Sequence, residues 1–270
     1  MNPLHARRTA KLGFLRRMVS PRRTHAYCVG TAKSGTHSIN AFIKPPLTAA
    51  HELESERTIE TIIARRDGQL SDRQLDRFLL KRDRRHRLDV DSSQLNFFFL
   101  DELVRLFPRA RFILTVREPR AWLDSFVNHQ LGRSASSNWQ RLRDLRFRPD
   151  VFPHGPDDAV FAEHGLYSLD GYLSYWREHN LKVLEAVPAD RLMVLKTRHI
   201  GDSIAGIAQF LNVDPELLDA ERAHAFTAAT KFGLLESLDE RYLNDRIRDF
   251  TADVMLELER RCVSPSVAQS

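Results

Sequence analysis

Tyr27-Cys28-Val29-Gly30-Thr31-Ala32-Lys33-Ser34-Gly35-Thr36-His37-Ser38-Ile39 is the stretch on which the reading turns. Ala26 to Val29 is short, contains an aromatic and a β-branched residue and ends in glycine, the mark of a strand. After a second glycine, Gly35, the run Thr36 to Ile43 sets Ile39, Phe42 and Ile43 on one helical face. A strand, a tight glycine loop and a helix aim backbone N–H groups and the positive end of a helix dipole at one point. Such a loop cradles an anion, most often phosphate.

The loop departs from the nucleotide-hydrolysing form G-x-x-x-x-G-K-[ST]. Gly30 and Gly35 are correctly spaced, but Thr36 stands where that motif has lysine, and the loop's lysine is Lys33. Phosphoryl transfer needs the motif lysine on the β- and γ-phosphates and the next hydroxyl on magnesium. The departure keeps a phosphate cradle and removes a main requirement of ATP or GTP chemistry.

Outward from the loop, strands alternate with helices. Pro45-Pro46 stops the first helix, and Leu47 to Leu53 reads as the second strand or its mouth. Thr58 to Arg87 is charged and helical, with Ile59, Ile62 and Ile63 and then Leu75, Phe78 and Leu79 at helical spacing. Its basic run, Lys81 to Arg87, reads as solvated surface. Leu88 to Asp91 is a short strand ending in Ser92-Ser93, and Leu95 to Phe107 a helix. Arg111-Phe112-Ile113-Leu114-Thr115-Val116 is apolar enough to be covered on both faces, as a parallel sheet requires. Arg120 to Leu131 is helical, and Leu131 to Pro156, rich in glycine, serine, proline and arginine, reads as irregular. Leu169 to Val187 is a helix and Arg191 to Lys196 the last strand. Helices at Ser203–Leu211, Pro215–Leu218 and Arg241–Arg261 close the chain. This order predicts an α/β fold of three layers with a mostly parallel central sheet.

The 270 residues suit one large domain, expected over 25–262, between a basic N-terminal tail (1–24) and a short C-terminal tail (263–270). The region 131–167 is expected to be a mobile segment over the acceptor site. Arg7, Arg8, Lys11, Arg16, Arg17, Arg22 and Arg23 make the first tail basic without the apolar run of a secretory signal. It suits at most a peripheral contact with an anionic membrane. Two cysteines, Cys28 and Cys262, support neither a disulfide framework nor a zinc site, and a cytoplasmic setting is expected. Lys and Arg total 41 against 36 Asp and Glu, too small an excess to point to nucleic acid.

The Lys33-Ser34-Gly35-Thr36 loop resembles the 5′-phosphosulfate loop of sulfotransferases that use 3′-phosphoadenosine 5′-phosphosulfate (PAPS), whose members carry K-S-G-T or R-S-G-T there. The segment Phe107 to Phe126 resembles the family's 3′-phosphate motif, F-P-x-A-x-F-I-x-x-x-R-x-P-x-x-x-x-x-S, with Arg117 and Ser125 at its functional positions. Phe210-Leu211-Asn212-Val213 is similar to the family's F-L-x-V turn. Thr230-Lys231-Phe232-Gly233 lies where related enzymes close a basic loop over the nucleotide, without matching their R-K-G form. The K-x-H motif of animal cytosolic members is absent, so their catalytic base does not carry over.

The resemblance implies a P-loop-type sulfotransferase fold, PAPS as donor, 3′-phosphoadenosine 5′-phosphate (PAP) as product, no metal, and a hydroxyl-bearing acceptor. It implies nucleotide contacts from Lys33, Ser34, Gly35, Thr36, His37, Ser38, Arg117, Ser125 and Lys231, with Lys33 also stabilising the departing oxygen. Some bacterial members keep a glutamate just after the first helix, which makes Glu52 the expected base, with His51 as its substitute. Asp91 and Ser92 are expected at the acceptor pocket. The sequence leaves two other readings open: a P-loop nucleoside or small-molecule kinase, and a non-catalytic nucleotide-binding protein.

Overall fold

The computed structural model of the chain describes residues 22–224 and 231–262. Most of the expected N-terminal tail, Thr230 and the 263–270 tail lie outside the described residues. Arg23 and Thr24, counted with that tail, are tied down: both backbone N–H groups donate to Asp89 Oδ1, at 2.7 and 3.2 Å.

Five parallel strands form one sheet: β1 (Ala26–Cys28), β2 (Ala49–His51), β3 (Val90–Ser92), β4 (Arg111–Val116) and β5 (Leu192–Lys196), in the spatial order β2-β3-β1-β4-β5. β1 pairs with β3 on one side and β4 on the other. The chain therefore reverses its direction of winding beside β1, and a crevice opens there at the carboxyl ends of the strands. The glycine loop leaves β1 at that crevice.

Alternation along the strands supplies two apolar faces. Ala26, Cys28, Ile113 and Leu195 pack with Ile39 and Phe42 beside helix α1 (Thr36–Ala41). Tyr27, Val29, Phe112, Leu114 and Val194 face the larger helical layer. That layer includes α2 (Ser55–Arg66), α3 (Asp72–His86), α4 (Leu100–Leu106), α5 (Pro119–Leu131), α6 (Ser137–Phe147), α7 (Ala159–Glu163) and α8 (Leu169–Ala186). Helix α9 (Ile204–Leu211) lies with α1, and α10 (Glu240–Arg261) packs on α8. The three-layer α/β architecture is as the alternation of elements implies.

Local departures have local causes. The expected helix 58–87 is two helices, because Gly68 takes φ 71° and Ser71 opens α3 with a capping box closed by Gln74. The expected helix 95–107 begins as a 3₁₀ turn over Gln94–Phe99 before becoming α4. The stretch expected to be irregular after Leu131 holds a full helix, α6, whose Leu142 and Phe147 are completely buried. The basic run 81–87 is partly structural: Arg82 pairs with the buried Asp91, and Arg85 with Glu54 at 2.8 Å.

Candidate active site

The loop is built from the inside. A side chain on Gly30 would lie 2.1 Å from Thr115 Oγ1 and 2.7 Å from the Thr115 carbonyl, so only glycine lets β1 pass β4 at this height. Ser34, expected on the nucleotide, is turned into that core. Its N–H donates to the Thr31 carbonyl at 3.2 Å, its hydroxyl donates to the same oxygen at 2.7 Å, and Thr115 Oγ1 lies 3.0 Å away. Ser34 therefore shapes the loop rather than offering free donors to an anion. Trp122 Nε1–H holds the Ala32 carbonyl at 2.8 Å, and the Thr197 hydroxyl donates to the Ser34 carbonyl.

Beyond Ser34 the backbone opens. Gly35 has φ 110° and gives α1 no side-chain cap, and a Cβ there would meet Ile200 Cδ1 at 2.6 Å. The first intrahelical bond runs from Ile39 N–H to the Gly35 carbonyl at 3.1 Å. The N–H groups of Thr36, His37 and Ser38 precede it in a first turn to which Gly35 gives no side-chain cap. Lys33, with φ 66°, heads this turn.

Arg117 leaves the end of β4 and reaches the loop, with Nη1 3.4 Å from the Lys33 carbonyl. The ammonium of Lys33 is pushed below its ordinary pKa by burial first and then by the charges of Arg117 and Arg133. Burial likewise lowers Arg117, with Asp124 partly offsetting it. His129, half-buried on α5, is held down to about 4 by burial and by Lys33, Arg133 and Arg143. The charges of Lys33, Arg117 and Arg133 bear on one another beside the loop, so the residues fit a polyanion such as PAPS: positive charge and a glycine path coincide at the start of α1. Sequence reasoning missed His129, Arg133 and Arg143, because their convergence is a product of how α5 and α6 pack.

Ser125 is buried on α5, two turns beyond Arg117. The neighbouring Asp124 holds Lys231 Nζ at 3.6 Å, and Phe232 N–H donates to Asn128 Oδ1 at 2.6 Å. The 231–233 segment thus lies along the same helix, although the Lys231 side chain is itself largely exposed.

On the other flank of the loop, His51 Nε2 lies 3.2 Å from Thr36 Oγ1, and its ring sits 4.6 Å from that of His37. Burial lowers the His51 pKa, opposed by Glu52 and reinforced by His37. Glu52 follows β2 at φ 50°, its N–H bonded to the Ser92 carbonyl at 3.1 Å and its Oε1 accepting from Gln94 Nε2 at 2.5 Å. Asp91 and Ser92, expected at the acceptor pocket, are used elsewhere: Asp91 pairs with Arg82, and Ser92 donates to the Thr36 carbonyl at 2.5 Å.

Two further residues had no sequence signal. His179, fully buried on α8, meets the Val29 carbonyl through Nε2 at 2.7 Å and Tyr175 Oη through Nδ1 at 3.2 Å. A carbonyl accepts only, so the proton is on Nε2, and burial drives the pKa down to about 3. Arg146 is 5% exposed and lies among aromatic rings.

A family model described as a sulfotransferase domain matches residues 27–217, more than two thirds of the chain. The chain belongs to the sulfotransferase family. Among relatives, the Ava biosynthesis cluster protein M of Aspergillus versicolor is 32% identical over 103 residues, 36% of this chain and 40% of that protein's length. Among solved structures, a sulfotransferase from Alicyclobacillus acidocaldarius aligns with a TM-score of 0.47 at 14% identity, covering 88% of this chain and 97% of that one. Mouse sulfotransferase SULT7A1 complexed with PAP aligns with a TM-score of 0.41 at 14% identity, over 90% of this chain and 91% of that chain.

Proposed function

We propose that this sulfotransferase takes its sulfuryl group from PAPS and passes it in line to a hydroxyl acceptor on a glycan, glycolipid or small metabolite, with Glu52 as base. The observation that carries the reading is the convergence of Lys33 and Arg117: the Arg117 guanidinium reaches the Lys33 backbone carbonyl at 3.4 Å, and its charge bears on the Lys33 ammonium. Bound there, PAPS supplies a sulfuryl group on a phosphate leaving oxygen. Lys33 and the N–H groups of Thr36 to Ser38 stabilise charge on that oxygen from a fixed scaffold, which needs no reorganisation during transfer. Arg117, Ser125 and the Lys231 segment hold the 3′-phosphate end. Glu52, oriented by Gln94, takes the acceptor proton. His51 can substitute as base, since its lowered pKa keeps the imidazole neutral at neutral pH.

Thermal unfolding with PAP against ATP–magnesium tests the donor. Saturating PAP, at about a hundred times its Kd, contributes about 2.7 kcal/mol, or roughly 5–10 °C in Tm. A shift with ATP–magnesium and none with PAP would replace the reading with a kinase. Lys33→Ala is expected to lower PAPS-dependent turnover roughly 10²–10³-fold. Glu52→Gln is expected to lower it roughly 10²–10⁴-fold while leaving the PAP shift in place.

A further inference from the structure

A cavity of about 440 Å³ lies between α2, α6 and α8, on the side of the sheet away from α1. Its walls include Ile62, Phe97, Phe98 and Tyr175, with Arg146 and His179 among them. That volume suits a small organic ligand, and a lining that combines aromatic rings with Arg65, Arg66, Arg146 and Arg148 suits one that is both aromatic and anionic.

Arg146 is the anomaly. Its guanidinium lies between two rings, 5.4 Å from the Phe98 centroid and 5.4 Å from that of Tyr175. Its Nε and Nη2 atoms are buried without a hydrogen-bond partner. Among the described residues, no carboxylate lies within ion-pair distance of it. Glu178, also on the cavity wall, is bonded to Arg148 and to the Ser174 hydroxyl at 2.9 Å. A guanidinium is always protonated, so this is a buried charge with no ion pair at contact distance, attracted from further off by Glu52.

The cavity adjoins the proposed base. The 3₁₀ segment Gln94–Phe99 holds Glu52 at its first residue and lines the cavity with Phe97, Phe98 and Phe99. At about 2 Å per residue, Gln94 and Phe98 stand roughly 8 Å apart along the axis, close to the length of a fused bicyclic ring. His179 anchors the same wall to Val29, the residue before the loop's first glycine.

We infer that this cavity is the acceptor pocket and that the acceptor is a hydroxylated aromatic carboxylate, its ring among Phe97, Phe98 and Tyr175, its carboxylate on Arg146 and its hydroxyl toward Glu52. The assignment of the acceptor end rests on the donor reading above. The pocket's preference for an aromatic anion can be measured without it.

The test uses the full chain and two fluorescent probes, 6-hydroxy-2-naphthoate and its methyl ester, titrated with and without PAP. The acid is expected to bind about tenfold or more tightly than the ester, the effect of a hydrogen bond to a charged group. Arg146→Met is expected to erase that preference while retaining the PAP thermal shift. Should Arg146→Met not fold, the acid-to-ester comparison on the natural chain decides alone. Equal affinities, tighter binding of the ester, or binding of neither at millimolar concentration overturns the inference. A PAP shift without an acid preference sinks the pocket and leaves the donor standing. An acid preference without a PAP shift supports the pocket and sinks the donor.

Discussion

His179 and Gly30 are fixed by neighbours that the local sequence does not reveal. The imidazole of His179 donates to Val29 and accepts from Tyr175, so a second proton would break one bond and place a charge in the core. Its folded pKa, about 3, lies below the ordinary 6.5, so the unfolded chain binds more protons and stability falls as pH falls. This contribution is complete above about pH 6.5 and declines toward pH 3, by at most about 1.4 kcal/mol per pH unit. His179→Gln keeps a donor for Val29 without a titrating ring. Urea midpoints measured from pH 7 to 4 should therefore fall less steeply for the variant, and identical slopes would remove His179 from the account. Gly30→Ala is a different kind of test, since the added methyl meets both a side chain and the Thr115 carbonyl. It should cost about 1–3 kcal/mol, and Thr115→Ala should not rescue it, because the carbonyl remains 2.7 Å away.

At the scale of elements, what could be read depended on where the information sits. β4, with its unbroken Phe112-Ile113-Leu114 run, and α8, with Tyr172, Leu173 and Trp176 inward, carry their patterns locally and were readable. Helix α6 was not. Its burial falls on Leu142, Arg146 and Phe147, and an arginine counts as surface in any periodicity argument. Only the packing of α6 against α2 and α8 makes that face internal. The gap between α2 and α3 was readable in retrospect from Gly68 and the S-x-x-Q box at Ser71 to Gln74. That box allows a clean separation of stability from function, because it is exposed and belongs to no proposed site. Ser71→Ala should cost about 1 kcal/mol, a Tm loss of roughly 2–4 °C, with PAP affinity unchanged. A loss of PAP affinity would mean that α3 positions the crevice through its Arg82–Asp91 pair.

Across the whole molecule, the parallel sheet brings strand ends remote in sequence to one crevice, and this explains which half of the site was readable. Lys33 and Arg117 sit in motifs with fixed spacing. The charges crowding them from α5 and α6 arrive only through tertiary packing, as does Arg146. The crowding has a consequence for stability. Lys33 is half-buried beside Arg117 and Arg133, and its charged form is disfavoured by burial and by both neighbours. The proposed polyanion site thus sets like charges beside one another, a common conflict between activity and stability. Lys33→Met removes one of these cations and keeps most of the stem's apolar contact. The ligand-free variant should unfold at the same temperature as the natural chain or about 1–3 °C higher, while its stabilisation by PAP shrinks. Raising ionic strength should narrow both differences, since the Debye length is about 10 Å at 0.1 M salt and the crevice is partly open to solvent. Calorimetry at low and high salt, with and without PAP, measures all four states. A Lys33→Met chain clearly less stable than the natural one without PAP would mean that the ammonium holds the loop together, and the picture of a site destabilised by its like charges would have to be given up.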